Sequence, residues 1–131
     1  MQLTRHTDYA LRVLMYLGSN NERLISVAEI SDYYSISRNH LVKVVQGLTE
    51  HGYVVTTRGK HGGMKLSCEA KNISVGDVVR KIENHLNIVE CFDNKSDGCC
   101  IVNSCGLKGV IHRATNTFLS ELDKSSLADV L

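Results

Sequence analysis

The sequence predicts a mainly α-helical fold with one small β-hairpin wing: a winged helix-turn-helix followed by a long C-terminal dimerisation helix. Three observations predict it. Two short apolar-periodic segments, each opened by a capping serine, meet across the break Tyr34-Ser35-Ile36. Two short runs, the first β-branched, flank a basic, glycine-rich turn directly after them. An amphipathic stripe then runs from Leu107 to Leu122.

Thr4 or Thr7 can cap a first helix whose Ala10, Val13, Leu14 and Leu17 fall at i, i+3, i+4 and i+7, and Gly18 with Ser19-Asn20-Asn21 ends it. Asp8 lies in the first turn, where the helix dipole favours a carboxylate. Ser26-Val-Ala-Glu29 reads as a capping box opening a helix to about Tyr33, with Val27 and Ile30 inward. Ser37 caps the next helix, which buries Leu41, Val44, Val45 and Leu48, with Gly52 as its C′ residue. Ser37, Arg38, Asn39, His40 and Lys43 occupy its cap and outer face, as does Gln46. In a helix-turn-helix that first turn meets base edges in the major groove; a merely solvated helix face is the plainer reading.

The hairpin favours the first reading. Tyr53-Val-Val-Thr-Thr57 and Met64-Lys-Leu-Ser67 are its strands, and Arg58-Gly-Lys-His-Gly-Gly63 is its tip. A tip carrying Arg58, Lys60 and His61 among three glycines, with no acidic residue, suits a phosphate backbone and a narrow minor groove. Ser74-Val-Gly-Asp77 begins a further helix with Val75, Val78, Val79 and Ile82 inward, and the lone Cys68 before it reads as a small buried hydrophobe.

Four of the five cysteines lie in the fifteen residues from Cys91 to Cys105, in a segment rich in Asp, Asn, Ser and Gly. Apolar burial alone does not order such a segment, and clustered thiols in a reducing compartment point to a metal or redox centre. Cys91, Cys99 and Cys105 are separated by seven and five residues, without the paired Cys-x2-Cys spacing of structural zinc sites. Adjacent side chains diverge, so one of Cys99 and Cys100 is the ligand and spacing does not choose which. Nor does it choose zinc or iron.

After this loop, Leu107, Val110, Ile111, Ala114, Phe118, Leu119 and Leu122 form a stripe that a second copy would cover in a two-fold dimer. A last short helix, Leu127 to Leu131, is expected to rest on that interface. The expected organisation is a DNA-binding unit over residues 1–83, a cluster-binding loop over 84–106, and dimerisation and C-terminal helices over 107–131.

Composition narrows the class. The 131 residues are 43% hydrophobic and 22% charged, with a net charge of +1, so contact with nucleic acid must come from local patches. No run reaches the roughly 18 apolar residues of a membrane span, and the start lacks a secretory pattern, so a cytoplasmic protein is expected. No cysteine lies in a nucleophile motif and no oxyanion pocket is suggested, so the chain is not expected to be an enzyme.

The segments Leu3-Thr-Arg-His-Thr-Asp-Tyr-Ala-Leu-Arg-Val-Leu14, Tyr34-Ser-Ile-Ser-Arg-Asn-His-Leu-Val-Lys43, Val55-Thr-Thr-Arg-Gly-Lys-His-Gly-Gly63, Ile88-Val-Glu-Cys-Phe-Asp93 and Cys105-Gly-Leu-Lys108, with the ending Leu122-Asp-Lys-Ser-Ser-Leu-Ala-Asp-Val130, resemble the Rrf-type family of bacterial winged-helix iron–sulfur regulators. The likeness covers essentially the whole chain and is closest to the nitric-oxide-sensing branch. It implies a homodimeric repressor of an AT-rich, palindromic double-stranded operator, with nitric oxide as signal and cluster nitrosylation or loss releasing DNA. It implies an iron–sulfur cluster, 4Fe–4S favoured over 2Fe–2S, on Cys91, Cys99 and Cys105, with Asp8 of the partner subunit as the fourth ligand and Cys100 as the fallback for Cys99. The histidine ligand of another branch, two residues beyond the last cysteine, is missing, since Gly106, Leu107 and Lys108 follow Cys105. An iron- or redox-responsive regulator of the same fold, based on iron–sulfur, zinc or thiols, is the alternative.

Overall fold

The structure, a computed structural model, describes residues 2–93 and 99–131. Helix α1 spans Arg5–Ser19, α2 Val27–Tyr34, and α3 Arg38–Glu50. Strands β1, Val54–Thr57, and β2, Gly63–Leu66, precede α4, Val75–Ile82, and α5, Gly106–Asp123. Short 3-10 turns cover Ala70–Asn72, Glu90–Phe92 and Leu127–Val130.

Each helix start is chemically marked. Thr4 accepts the Thr7 N–H, Ser26 that of Glu29, Ser37 that of His40, and Ser74 that of Asp77, each satisfying one of a helix's orphan donors. Two expected capping boxes are half-formed. Glu29 takes the Tyr16 hydroxyl at 2.8 Å and the Arg23 guanidinium instead of reaching back to Ser26. Asp77 likewise takes the Tyr53 hydroxyl at 2.5 Å and Lys81 at 2.9 Å. In both, a stronger charged or buried partner competes with the cap's own N–H. Arg23 and Tyr16 together hold the Glu29 carboxyl down at about 2. The complete box forms at the last turn, where Ser126 and Asp129 bond reciprocally.

Ser35 adopts a left-handed conformation, φ 55°, which makes the three-residue break between α2 and α3, and Ile36 caps it by packing into the core. Gly52, φ 77°, ends α3 as expected. The hairpin pairs antiparallel from Val54↔Leu66 to Thr57↔Gly63, so each strand is displaced by one residue from its predicted start. At its tip a Cβ on Gly62 would stand 2.2 Å from the Thr57 carbonyl oxygen, a contact only glycine avoids. Gly62→Ala is therefore expected to lower stability by about 1–2 kcal/mol in urea unfolding, the backbone at residues 57–62 moving to make room.

The core is built from one face of each element: Leu14 and Leu17 of α1, Ile30 of α2, Leu41, Val44 and Leu48 of α3, Met64 of β2 and Val78 of α4 are essentially inaccessible. Ile25 joins the hairpin through a bridge to Met64. Leu127 is also part of this core, at 1% exposure. Its N–H donates to the Ile73 carbonyl at 2.7 Å, and Ser125 accepts from Val75 at 3.0 Å. The last turn thus docks on the winged head, correcting the expectation that it rests on the α5 interface. A buried leucine stabilises its seat by roughly 1.5–3 kcal/mol, more than a partly exposed contact on α5 offers.

A second correction concerns Cys68, which is exposed, not buried. It lies in the bend between β2 and the Ala70–Asn72 turn, where no element covers it. Helix α5 packs against α4, burying Thr115 and Leu119, and is tied to it near its C-terminal end by the Arg80–Asp123 pair at 2.5 Å. Much of its apolar stripe is uncovered: Leu107 is 63%, Val110 51% and Phe118 40% exposed.

Candidate metal centre and nucleic-acid interface

The cysteines arrive from two elements. Cys91 sits in the Glu90–Phe92 turn and Cys105 is the N-cap of α5, with no side chain completing that cap. Both line one open cavity of about 640 Å³, walled by Leu86, Phe92, His112 and Leu119. The α5 N–H groups that the cap leaves unbonded give this end of the helix a positive field that attracts negative charge. The His112 ring meets Phe92 edge-on at 6.0 Å and its Nδ1 contacts the Asn116 amide at 3.3 Å. The donor set fits an iron–sulfur group: two half-buried thiols face one open cavity whose lining mixes apolar Leu86, Phe92 and Leu119 with polar Asn87, Lys108 and Asn116.

Cys99 and Cys100 are exposed and do not line this cavity. Residues 94–98 of the predicted loop lie outside the described residues. Among the described residues, no three His, Cys, Asp or Glu side chains gather closely enough to hold a metal ion. The structure therefore brings together two of the predicted ligands and leaves Cys99, Cys100 and Asp8 apart from them.

Asp8 is in the first turn of α1 and binds Arg12 one turn on, through both carboxylate oxygens at 3.2 and 2.8 Å. Arg12 also lies 5.9 Å from the Tyr9 and Tyr34 ring centroids. Beside it, Thr7 is fully buried and donates its hydroxyl to Glu83 Oε2 at 2.5 Å. The same oxygen accepts the Thr4 N–H at 3.1 Å and the Thr4 hydroxyl at 3.2 Å. Glu83, only 9% exposed, directly follows α4 and so fastens the Asp8-bearing turn to the start of the segment that leads to Cys91. This clamp was missed in the sequence, because Thr4 and Glu83 are seventy-nine residues apart.

The residues expected to meet nucleic acid, His40 apart, fall on two exposed surfaces. Ser37, Arg38, Asn39 and Lys43 are exposed at the start of α3, and Arg58, Lys60 and His61 are exposed at the wing tip. Arg38 is within 3.9 Å of Asp32, a loose solvent-facing pair. His40 is half-buried; its ring lies edge-on to Tyr9 at 4.8 Å and is stacked with His6 at 6.2 Å. It thus joins α3 to α1 as well as bordering the outer face. Burial and the neighbouring His40 depress protonation of His6. Among the described residues, no helix is long and apolar enough to cross a membrane.

The family model Rrf2, described as an iron-dependent transcriptional regulator, matches residues 3–131. The HTH-type transcriptional regulator NsrR of Bacillus subtilis is 46% identical over 132 residues, which cover 100% of this chain and 90% of the relative. The HTH-type transcriptional regulator NsrR of Bacillus licheniformis is 42% identical over the same length, covering 100% and 92%. Among solved structures, CymR, the global cysteine regulator of B. subtilis, is similar with a TM-score of 0.79 at 23% identity, over 99% of this chain and 95% of its own, a likeness that bears on the fold.

Proposed function

Because the chain belongs to the Rrf2 family of transcriptional regulators, we propose that it is a DNA-binding repressor that senses nitric oxide through an iron–sulfur cluster. Cys91, Cys99 and Cys105 would hold the cluster, with Asp8 of the partner subunit as the fourth ligand and Cys100 as the fallback for Cys99. The observation that carries this reading is the convergence of Cys91 and Cys105 on one cavity at the head of α5. When bound, such a cluster supplies irons that react with nitric oxide, as 4Fe–4S or alternatively 2Fe–2S.

The chain's own residues supply the coupling. Asp8 has two competing partners: Arg12 in its own helix and the centre of a second subunit. A carboxylate oxygen is a harder ligand than a thiolate and is the easier one to exchange. Glu83 holds the turn that carries Asp8, and the His40–Tyr9 contact joins α1 to the reading helix. A shift of α1 is therefore passed to α3. Two copies paired through the exposed Leu107, Val110 and Phe118 face would set two such helices against half-sites about 34 Å apart. A small change in their relative angle loses both groove contacts at once. The expected target is an AT-rich, palindromic duplex, with α3 in the major groove and Arg58, Lys60 and His61 of the wing beside it.

A second reading, an iron- or redox-responsive regulator of the same fold, is favoured by one observation. Cys99 and Cys100 are both exposed, open to oxidants or to a different metal. The deciding experiment is an anaerobic absorption spectrum with iron and sulfide counts, followed by titration with nitric oxide while DNA release is followed. Asp8→Ala is expected to keep iron and sulfide but shift the spectrum; a spectrum unchanged from wild type removes Asp8 from the ligand set. Colourless protein with zinc, or with titratable thiols alone, selects the second reading.

A further inference from the structure

Of the five aliphatic side chains of α3, Leu41, Val44, Val45 and Leu48 are buried, whereas Val42 is 53% exposed. Asn39, Val42, Lys43 and Gln46 are all exposed and fall at i, i+3, i+4 and i+7, a single stripe on the side away from the core. One polar member of this stripe, Gln46, and two side chains beside it, Arg38 and His40, have partners close by. Gln46 donates its amide to Glu50 at 3.0 Å, while Arg38 leans toward Asp32 and His40 packs on Tyr9. Val42 alone has neither a hydrogen-bonding group nor an apolar neighbour on its stripe.

A single exposed aliphatic side chain is unremarked on most surfaces. Here it stands in the fifth position of the helix that follows the turn, among the residues that meet base edges in this motif. The major-groove edge of the four base pairs carries donors, acceptors and one apolar group, the thymine C5-methyl. Set against a donor or acceptor, Val42 would strip water from a base and give nothing back. Set against a thymine methyl, it buries both groups. We infer that Val42 is a specificity-determining residue that reads a thymine methyl in each half-site and rejects the other bases there. This rests on the proposed DNA-binding function and names a contact within it.

The test uses the full chain, prepared anaerobically, and a pool of duplexes with a randomised core. Wild type and Val42→Ala are each taken through selection, and every thymine of the enriched site is then replaced in turn by deoxyuridine, which lacks only the methyl group. One replacement per half-site is expected to weaken wild-type binding about fourfold at fixed salt, the worth of one buried methyl group. Val42→Ala should be indifferent to that same replacement and should tolerate other bases at the position. Wild type that binds its enriched site but ignores every deoxyuridine overturns the Val42 contact alone, as does Val42→Ala that keeps the wild-type sensitivity. A pool that yields no enriched duplex overturns the contact together with the DNA-binding reading beneath it.

Discussion

Glu83→Ala is expected to destabilise the chain by about 3 kcal/mol in urea unfolding, because a buried donor left without its charged acceptor carries its full desolvation cost. Thr7 is fully buried and its hydroxyl has Glu83 at 2.5 Å, while Thr4 offers the same carboxylate both its N–H and its hydroxyl. Removal of the carboxylate leaves the buried Thr7 hydroxyl with only the neutral Thr4 hydroxyl, 3.1 Å away, in place of a charged acceptor, while the donors of the exposed Thr4 turn to water. Glu83→Gln, which keeps an acceptor oxygen but not the charge, should recover roughly half of the loss. A variant as stable as wild type would mean that water reaches the first turn of α1 and that Thr4 and Thr7 need no protein partner.

Cys105→Ala should yield protein without iron or sulfide, colourless under anaerobic purification, while its far-ultraviolet circular dichroism stays that of wild type. The spectroscopic effect is all-or-none because a three-thiolate centre that loses one of the two thiols facing the cavity no longer closes. The fold persists because Cys105 makes no capping bond and is half-exposed. Alanine there removes little that packing depends on. Iron and sulfide retained at the wild-type ratio would move the centre away from the head of α5. The same measurement on Cys99→Ala and Cys100→Ala tells which of that exposed pair takes part.

The winged head was legible because its signals are local. Ser37 as cap, the Leu41–Leu48 stripe and Gly52 at C′ lie within sixteen residues, and the structure places each as expected. The α5 stripe was legible only in part: Leu107, Val110 and Phe118 stay exposed, whereas Leu119 is buried within this chain. What escaped were pairings over long sequence distances. Glu83 with Thr4 and Thr7, Arg80 with Asp123, and Tyr53 with Asp77 carry no periodic signature. Tyr53 for Asp77, and Tyr16 with Arg23 for Glu29, also explain why these carboxylates forsake their capping boxes: spacing reports that a bond is available, not which competitor is nearer. Cys68 failed for a related reason, since a residue type's average burial says little about a bend that no element covers. Val42 carries no polar signal on the outer face of α3, although an aliphatic group carries information where the target has a methyl.

Leu127 seals a pocket otherwise made by residues from the first two-thirds of the chain, and its partner Ile73 precedes it by fifty-four positions. During synthesis the earlier segments therefore emerge from the ribosome with their core still open and wait for this plug before the head can reach full stability. A chain cut back to residue 126 should consequently be a substrate for chaperones and proteases, whereas one that retains the Leu127–Val130 turn should resist them.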